Sequence, residues 1–371
     1  MKGIFSILAL SISFLCSAQN YYLFVGTYTN GKSQGIYVYN FNDNTAKSSP
    51  VSIAKSKNPS YLAIADGGNY VYAVNENGAA LQGDVSAFSF NKKTGQLHFI
   101  NKQSSGGEDP CFISVNKNGN WAIVANYTGG NLSALPIQKD GSIGPVAQVI
   151  QHYGKSVNAQ RQEKAHVHST FLTPDERYIF SADLGEDKIK IYRFDPQSIK
   201  PLSDAADSSI AIQAGSGPRH IAFHPTKSDL YLIEELTGTI DAFHYHNGTM
   251  VHFQRISTVP ANFTGDPGSA DIHISPDRKF LYATNRGDAN TIAIYSIDNK
   301  TGQLHLKGFQ PVLGRHPRNF IIVPSGKFLL VANRDTDNIV IFRINRQTGM
   351  LTPTGMQIHV PNPVCLKLLK K

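Results

Sequence analysis

Apolar and polar positions alternate in short bursts along the whole chain, and the bursts recur in units of about fifty residues. Each unit opens with a brief apolar run, as in Asn58-Pro59-Ser60-Tyr61-Leu62-Ala63-Ile64, Asp109-Pro110-Cys111-Phe112-Ile113, Gly217-Pro218-Arg219-His220-Ile221 and His316-Pro317-Arg318-Asn319-Phe320. A Pro/Gly/Asp-rich turn follows, as in Asp66-Gly67-Gly68, Asn118-Gly119, Pro174-Asp175, Pro276-Asp277 and Ser325-Gly326. It leads into a second run such as Tyr70-Val71-Tyr72-Ala73-Val74 or Phe328-Leu329-Leu330-Val331-Ala332. A third run, Asp84 to Phe90 or Asn338 to Ile344, alternates with a period of two and so turns one face inward. Several units close on a tight turn, Lys93-Thr94-Gly95, Lys300-Thr301-Gly302 or Gln347-Thr348-Gly349, before a further short strand.

Complete copies begin near residues 58, 109, 166, 217, 269 and 316, and a seventh is split between the ends of the chain. Asn362-Pro363-Val364-Cys365-Leu366-Lys367-Leu368 reads as an opening strand with nothing after it. Tyr22 to Gly26 and Gly35 to Tyr39 read as later strands with no opener. Joining them completes a sheet, so the pattern predicts an all-β fold, a seven-bladed β-propeller with one blade closed by both termini. An open β-solenoid has shorter repeats and would not leave complementary halves at the two ends. The stretch from Gly141 to Ala165, with Arg161-Gln162-Glu163-Lys164, is weakly patterned and is expected to be a surface loop near one mouth of the ring.

Composition agrees with this picture. A length of 371 residues alone suggests two domains, but the repeat makes one of them. With 41% hydrophobic residues, 17% charged residues and 31 glycines, the chain is neither disordered nor a coiled coil. The net charge of +8 favours an anionic partner. Because the basic residues are dispersed, with one tight cluster at Lys367, Lys370 and Lys371, nucleic acid is not the expected partner. Lys2, the apolar stretch Ile4 to Leu15 and Cys16-Ser17-Ala18 have the order of a secretory signal. Residues 1–18 are therefore expected to be a signal peptide, and residues 19–371 an exported, periplasmic domain, or a cytosolic one if cleavage does not occur. Leu15 is a poor fit for a lipid anchor on Cys16. No later run approaches the ~18 apolar residues of a membrane span. Cys111 and Cys365 remain in the mature chain, too few for a disulfide framework.

Superimposing the repeats exposes columns whose contents packing alone does not explain. Just after the opening proline position the residues are Ser60, Cys111, His168, Arg219, Ala270, Arg318 and Val364. At the end of the second strand they are Tyr28, Glu76, Tyr127, Leu184, Glu235, Arg286 and Arg334. Strand openers next to the axis would direct such groups to one mouth of the channel, where they could converge on a small ligand. His168, Glu235, Arg219 and Arg286 are the candidate catalytic set, and His166, Arg318, Arg334 and Glu76 the candidate substrate-binding set. A structural ion-pair network is the competing reading. Asn75, Asn126, Asp183, Asn285 and Asn333 are expected to cap turns, and His220, Asp271 and Asn319 to bond neighbouring blades. Gly31-Lys32-Ser33-Gln34-Gly35 matches GxSxG but bridges two strands, where a nucleophile elbow needs a helix. His166 and His168 form an HxH pair with no third ligand at suitable spacing, so no metal and no other cofactor is expected. His244 and His246 are expected to be solvated.

The segments Phe24-Val25-Gly26-Thr27-Tyr28-Thr29, His166-Val167-His168-Ser169, Ala182-Asp183-Leu184-Gly185, Gly217-Pro218-Arg219-His220, Ala270-Asp271-Ile272-His273-Ile274-Ser275-Pro276-Asp277 and Asn285-Arg286-Gly287 resemble the lactonase family of seven-bladed propellers. That family includes propeller-type 6-phosphogluconolactonases and a fungal carboxymuconate-lactonizing enzyme. The resemblance spans the mature chain, and it implies that His168, Arg219, Glu235 and Arg286 form the site. One departure is Glu234-Glu235, where many relatives have Asn-Glu. The signal segment is another, because the phosphorylated sugar lactone is a cytosolic metabolite.

The resemblance implies a carboxylic ester hydrolase that opens a sugar lactone, 6-phosphogluconolactone or a related aldonolactone. Lactone hydrolysis needs a base for water, a cation where the carbonyl oxygen gains charge, and an acid for the leaving ring oxygen. Either Glu235 or His168 could be the base, with Arg219 and Arg286 holding the substrate and the oxyanion. A lactonizing cycloisomerase and a non-catalytic propeller that binds a partner at its mouth are the alternatives.

Overall fold

The computed structural model describes residues 20–78 and 80–371; the expected signal segment 1–18 lies outside them. Among these residues the strands form seven four-stranded antiparallel sheets arranged as the blades of a propeller. The six uninterrupted blades open with the strands Pro59–Ile64, Pro110–Val115, Val167–Leu172, Pro218–Phe223, Ser269–Ile274 and Pro317–Ile322. The seventh pairs Pro363–Lys370 with Asn20–Thr27, then adds Gly35–Asn42 and Ser48–Lys55, as the split repeat predicts. This closure gives both terminal strands a partner and leaves no open edge between first and last blade.

The alternating pattern becomes a core between blades. In Tyr70–Asn75, five of the six side chains are buried, and in the equivalent Phe328–Asn333 all six are. Tyrosines in these second strands reach across to the tight turn of the next blade. The Tyr231 hydroxyl donates to the Gly302 carbonyl at 2.7 Å, and the Tyr282 hydroxyl to that of Gly349 at 2.8 Å. Both glycines have a positive φ, +76° and +77°, the conformation such turns require.

Two expectations are sharpened. Within the Gly141 to Ala165 stretch, Gln148–Gln151 forms the outer strand of its blade, so only the part that follows is irregular. Its sequence, Gln-Val-Ile-Gln, is too short to declare a period. Ser33 of the GxSxG match lies between Asn20–Thr27 and Gly35–Asn42 with its hydroxyl 2.6 Å from that of Thr27, not on a strand-to-helix elbow.

Candidate functional site

Every blade repeats one local device. The first strand is interrupted just after its opening position, with register shifts between Pro59 and Tyr61, Pro110 and Phe112, Val167 and Ser169, Pro218 and His220, Ser269 and Ile272, and Pro317 and Asn319. The ladder skips the residue in the first column, Ser60, Cys111, His168, Arg219, Ala270 or Arg318, and with Ala270 also Asp271. A bulge of this kind re-aims a side chain out of the sheet. The strand also begins beside a backbone carbonyl that fixes the second column. Glu76 N–H donates to Asn58 O, Tyr127 to Asp109, Leu184 to His166, Glu235 to Gly217, Arg286 to Gly268, Arg334 to His316 and Tyr28 to Asn362. The acceptor residues at 58, 109, 217, 268, 316 and 362 have positive φ, which suits the Asn, Asp and Gly found at five of those six positions. Bulge and carbonyl together bring residues sixteen apart side by side, as with Arg219 and Glu235.

The two columns meet in a cavity of about 490 Å³ on the axis, to which all seven blades contribute. Its wall carries Tyr28, Glu76, Cys111, Tyr127, His168, Glu235, Arg286 and Arg318 from the columns, together with Asp109, Thr128 and Arg161. Of the predicted residues, His168, Glu235, Arg286, Arg318 and Glu76 thus face one space. Arg334 lies in an adjoining polar cavity of about 470 Å³ that shares Tyr28, Glu76 and Asp109, with its Nε 2.6 Å from Asp335. His166 turns away from the axial cavity: its ring stacks on Tyr127 at 4.5 Å, and its nitrogens meet the Tyr127 carbonyl at 3.1 Å and Glu163 at 3.0 Å. Arg219 is 1% exposed and sits behind Glu235, where its guanidinium also donates to the Ala270 carbonyl. Its influence on the cavity passes through Glu235.

Glu235 is held by three cations. Oε2 accepts from Arg219 Nε at 2.9 Å and lies 2.7 Å from Arg286 Nη2, while Oε1 accepts from Arg161 Nη2 at 2.6 Å. Burial would raise the pKa of this carboxyl, but Arg286, Arg219 and Arg161 outweigh it and hold Glu235 well below the usual carboxylate range. Burial, then the like charge of Arg286, lowers Arg219 to about 10, which leaves it cationic at neutral pH.

His168 is the counterpart. It is 4% exposed, and among the described residues no group hydrogen-bonds its buried Nδ1. Its ring crosses that of His220 at 71° with centroids 5.4 Å apart. Burial, then Arg219 and His220, push its pKa well below the ordinary histidine value, so the ring is neutral. On the other side of the cavity the Tyr28 hydroxyl donates to Glu76 Oε1 at 3.0 Å, and the Arg318 guanidinium lies over the Tyr28 ring. Burial raises the Glu76 carboxyl despite Arg318.

The inter-blade residues behave as their column predicts. His220 Nδ1 lies 2.8 Å from Asp271 Oδ1, Asn319 donates to the other Asp271 oxygen, and Leu366 N–H donates to Asn319 at 2.7 Å. Asp183 accepts from the N–H groups of His166, Gly185 and Glu186, and the Asn75 side chain donates to the Lys57 carbonyl at 2.6 Å. His244 is half exposed but lies 2.6 Å from Asp229. His152, Asp183 and Glu186 form a compact trio of potential ligand atoms, yet protein groups already occupy them: Tyr192 and Asp183 on His152, Lys188 and Lys190 on Glu186. Sequence reasoning missed Arg161, which lies in the non-repeating connection and belongs to no column.

Over residues 22–368 the chain matches a family model described as "Lactonase, 7-bladed beta-propeller". It is 35% identical over 349 residues to a 6-phosphogluconolactonase of Bacillus subtilis (strain 168), a match that covers 93% of this chain and 97% of that protein. A solved protein from Bacteroides fragilis NCTC 9343 has a TM-score of 0.91 at 41% identity, covering 96% of this chain and 99% of the other. The periplasmic gluconolactonase of Pseudomonas aeruginosa has a TM-score of 0.90 at 35% identity, with 94% and 99% covered.

Proposed function

The chain belongs to the lactonase family of seven-bladed β-propellers, and from that premise we propose that it hydrolyses a sugar lactone, 6-phosphogluconolactone or a related aldonolactone, in the axial cavity. The observation that carries this reading is a neutral His168 lining the same cavity as a carboxylate and guanidinium groups that are already fixed around it.

His168 is the base on this account. Glu235 accepts contacts from guanidinium groups on both oxygens and has little affinity for a proton, whereas the imidazole is neutral and lines the cavity. His168 takes a proton from water as the water oxygen bonds to the lactone carbonyl carbon. Arg286, whose Nε is pinned to the Gly268 carbonyl at 2.9 Å, meets the negative charge that develops on the carbonyl oxygen. When the tetrahedral intermediate collapses, the bond from carbon to the ring oxygen breaks, and the proton on His168 passes to that oxygen. The product is the open-chain hydroxy acid, which releases a proton at neutral pH. Arg219 acts through Glu235, holding the carboxylate that holds Arg286. An anionic substrate would also offset the cations that depress His168 and so strengthen the base.

The test is pH-stat titration of residues 19–371 with glucono-1,5-lactone and its 6-phosphate, corrected for spontaneous opening. Turnover of either above background supports the reading, and no turnover of either rejects it for these substrates. We also propose that the protein is exported, on the strength of the 1–18 segment and of a relative whose name includes "periplasmic". Fractionation of cells expressing the full chain tests this, and a soluble cytoplasmic protein retaining residues 1–18 would contradict it.

A further inference from the structure

Three guanidinium groups converge on Glu235, and they are not equivalent. Arg219 and Arg286 are buried, and each is also tied to main chain, at the carbonyls of Ala270 and Gly268. Arg161 reaches the carboxylate from the connection between two blades, and 43% of its side chain is exposed. Among the described residues its guanidinium meets two side chains, Glu235 at 2.6 Å and the Tyr127 hydroxyl at 3.2 Å.

The connection itself is well built. Gln162 is fully buried, donates from Nε2 to the Leu184 carbonyl at 2.8 Å and accepts from Asn158 N–H at 3.1 Å. The Asn158 side-chain oxygen in turn accepts from the N–H groups of Gln160 and Arg161, both at 3.1 Å. The backbone at Arg161 is thereby fixed while its guanidinium stands on the open side of the clamp. Three residues on, Lys164 Nζ donates to the carbonyl of Thr128, itself a cavity residue, at 2.6 Å. The neighbouring acids are engaged: Glu163 with His166, and Asp109 with the Thr128 hydroxyl and Gly78 N–H.

Without Arg161, Glu235 would still have two buried cations, so the third charge is surplus to the clamp. An ion pair with one water-exposed partner is also the contact that exchanges most readily. We propose that Arg161, with Lys164 three residues on, is an anion subsite: its guanidinium turns from Glu235 to the phosphate of the entering sugar lactone. This rests on the lactonase reading for the identity of the ligand. A guanidinium suits the role because it offers paired donors to such an oxyanion. The subsite discriminates lactones that carry a phosphate from those that do not.

Calorimetric titration with 6-phosphogluconate and gluconate, which differ only in the phosphate, tests this without requiring turnover. The intact protein is expected to bind the phosphorylated acid about tenfold tighter or better, as charge-assisted contacts imply. In Arg161→Gln that preference should fall to within about threefold of unity, and Arg161→Lys should keep part of it. Equal loss on both ligands, an undiminished preference in Arg161→Gln, or no preference in the intact protein would overturn the subsite. Thermal unfolding of each variant identifies one that has failed to fold, in which case Arg161→Lys alone decides. Absence of hydrolysis in the pH-stat would refute the proposed reaction and leave these binding results standing.

Discussion

Arg219 Nε lies 2.9 Å from Oε2 of Glu235, a contact between the bulged residue of one strand and the residue that directly follows the next, Asp229–Glu234. Sixteen residues separate them, and the Glu235 N–H bond to the Gly217 carbonyl closes the gap. The pair is almost wholly out of water, at 1% and 7% side-chain exposure. Its two members should therefore respond differently to removal. Loss of Arg219 leaves Glu235 with two cations, whereas loss of the Glu235 charge leaves two buried guanidinium groups facing each other. Glu235→Gln should cost roughly 3–5 kcal/mol, the range for stranding a buried charge, and Arg219→Gln less. Urea unfolding midpoints measure this, and a reversed order would show that Arg219 is not carried by its neighbours in the way described.

Glu234 carries a pH-dependent term. Its carboxyl is fully buried beside Asp241, with Arg255 bridging the two at 2.5 Å and 2.8 Å. Burial, then Asp241, push it up to about 8 from an ordinary value of 4.5. A folded-state pKa above the unfolded one means that the folded chain binds the extra proton. The contribution is complete below about pH 4.5 and is lost as pH rises towards about 8. Glu234→Gln keeps the hydrogen-bonding shape without the titration, so its stability relative to the parent should improve between pH 5 and pH 8. An unchanged difference across that interval in chemical denaturation would exclude the effect.

Cys111 and Cys365 are both buried and free. Burial pushes the Cys111 thiol up to about 12 and raises that of Cys365. Neither forms an appreciable thiolate at neutral pH, so a chain of residues 19–371 should react negligibly with a thiol-specific aromatic disulfide until denaturant exposes two equivalents. Rapid labelling of one equivalent in the native protein would place Cys111 in solvent contact through the cavity.

Much of this was legible in the sequence because repeats can be superimposed. The columns holding His168 and Glu235 are visible from spacing alone, and the split repeat foretells which strands close the ring. Two things were hidden for physical reasons. Arg161 arrives on a connection without a repeat, so no column could contain it. Arg219 occupies a cavity-facing column, but its long side chain folds back to Glu235 and the Ala270 carbonyl, a choice made by tertiary partners and not by strand position. The outer strand Gln148–Gln151 escaped notice because four residues with two apolar positions show no period.

His168 gives the most direct test of the central claim. Its Nδ1 makes no hydrogen bond among the described residues, so replacing the ring should damage chemistry more than folding. The decisive measurement is a paired pH-stat assay of the parent protein and His168→Asn with glucono-1,5-lactone 6-phosphate at neutral pH, with melting temperatures taken alongside. The account expects the parent to consume base well above the spontaneous rate and the variant to lose roughly 10²–10⁴-fold of that turnover while still melting cooperatively. A folded His168→Asn protein that hydrolyses the lactone as fast as the parent would contradict it.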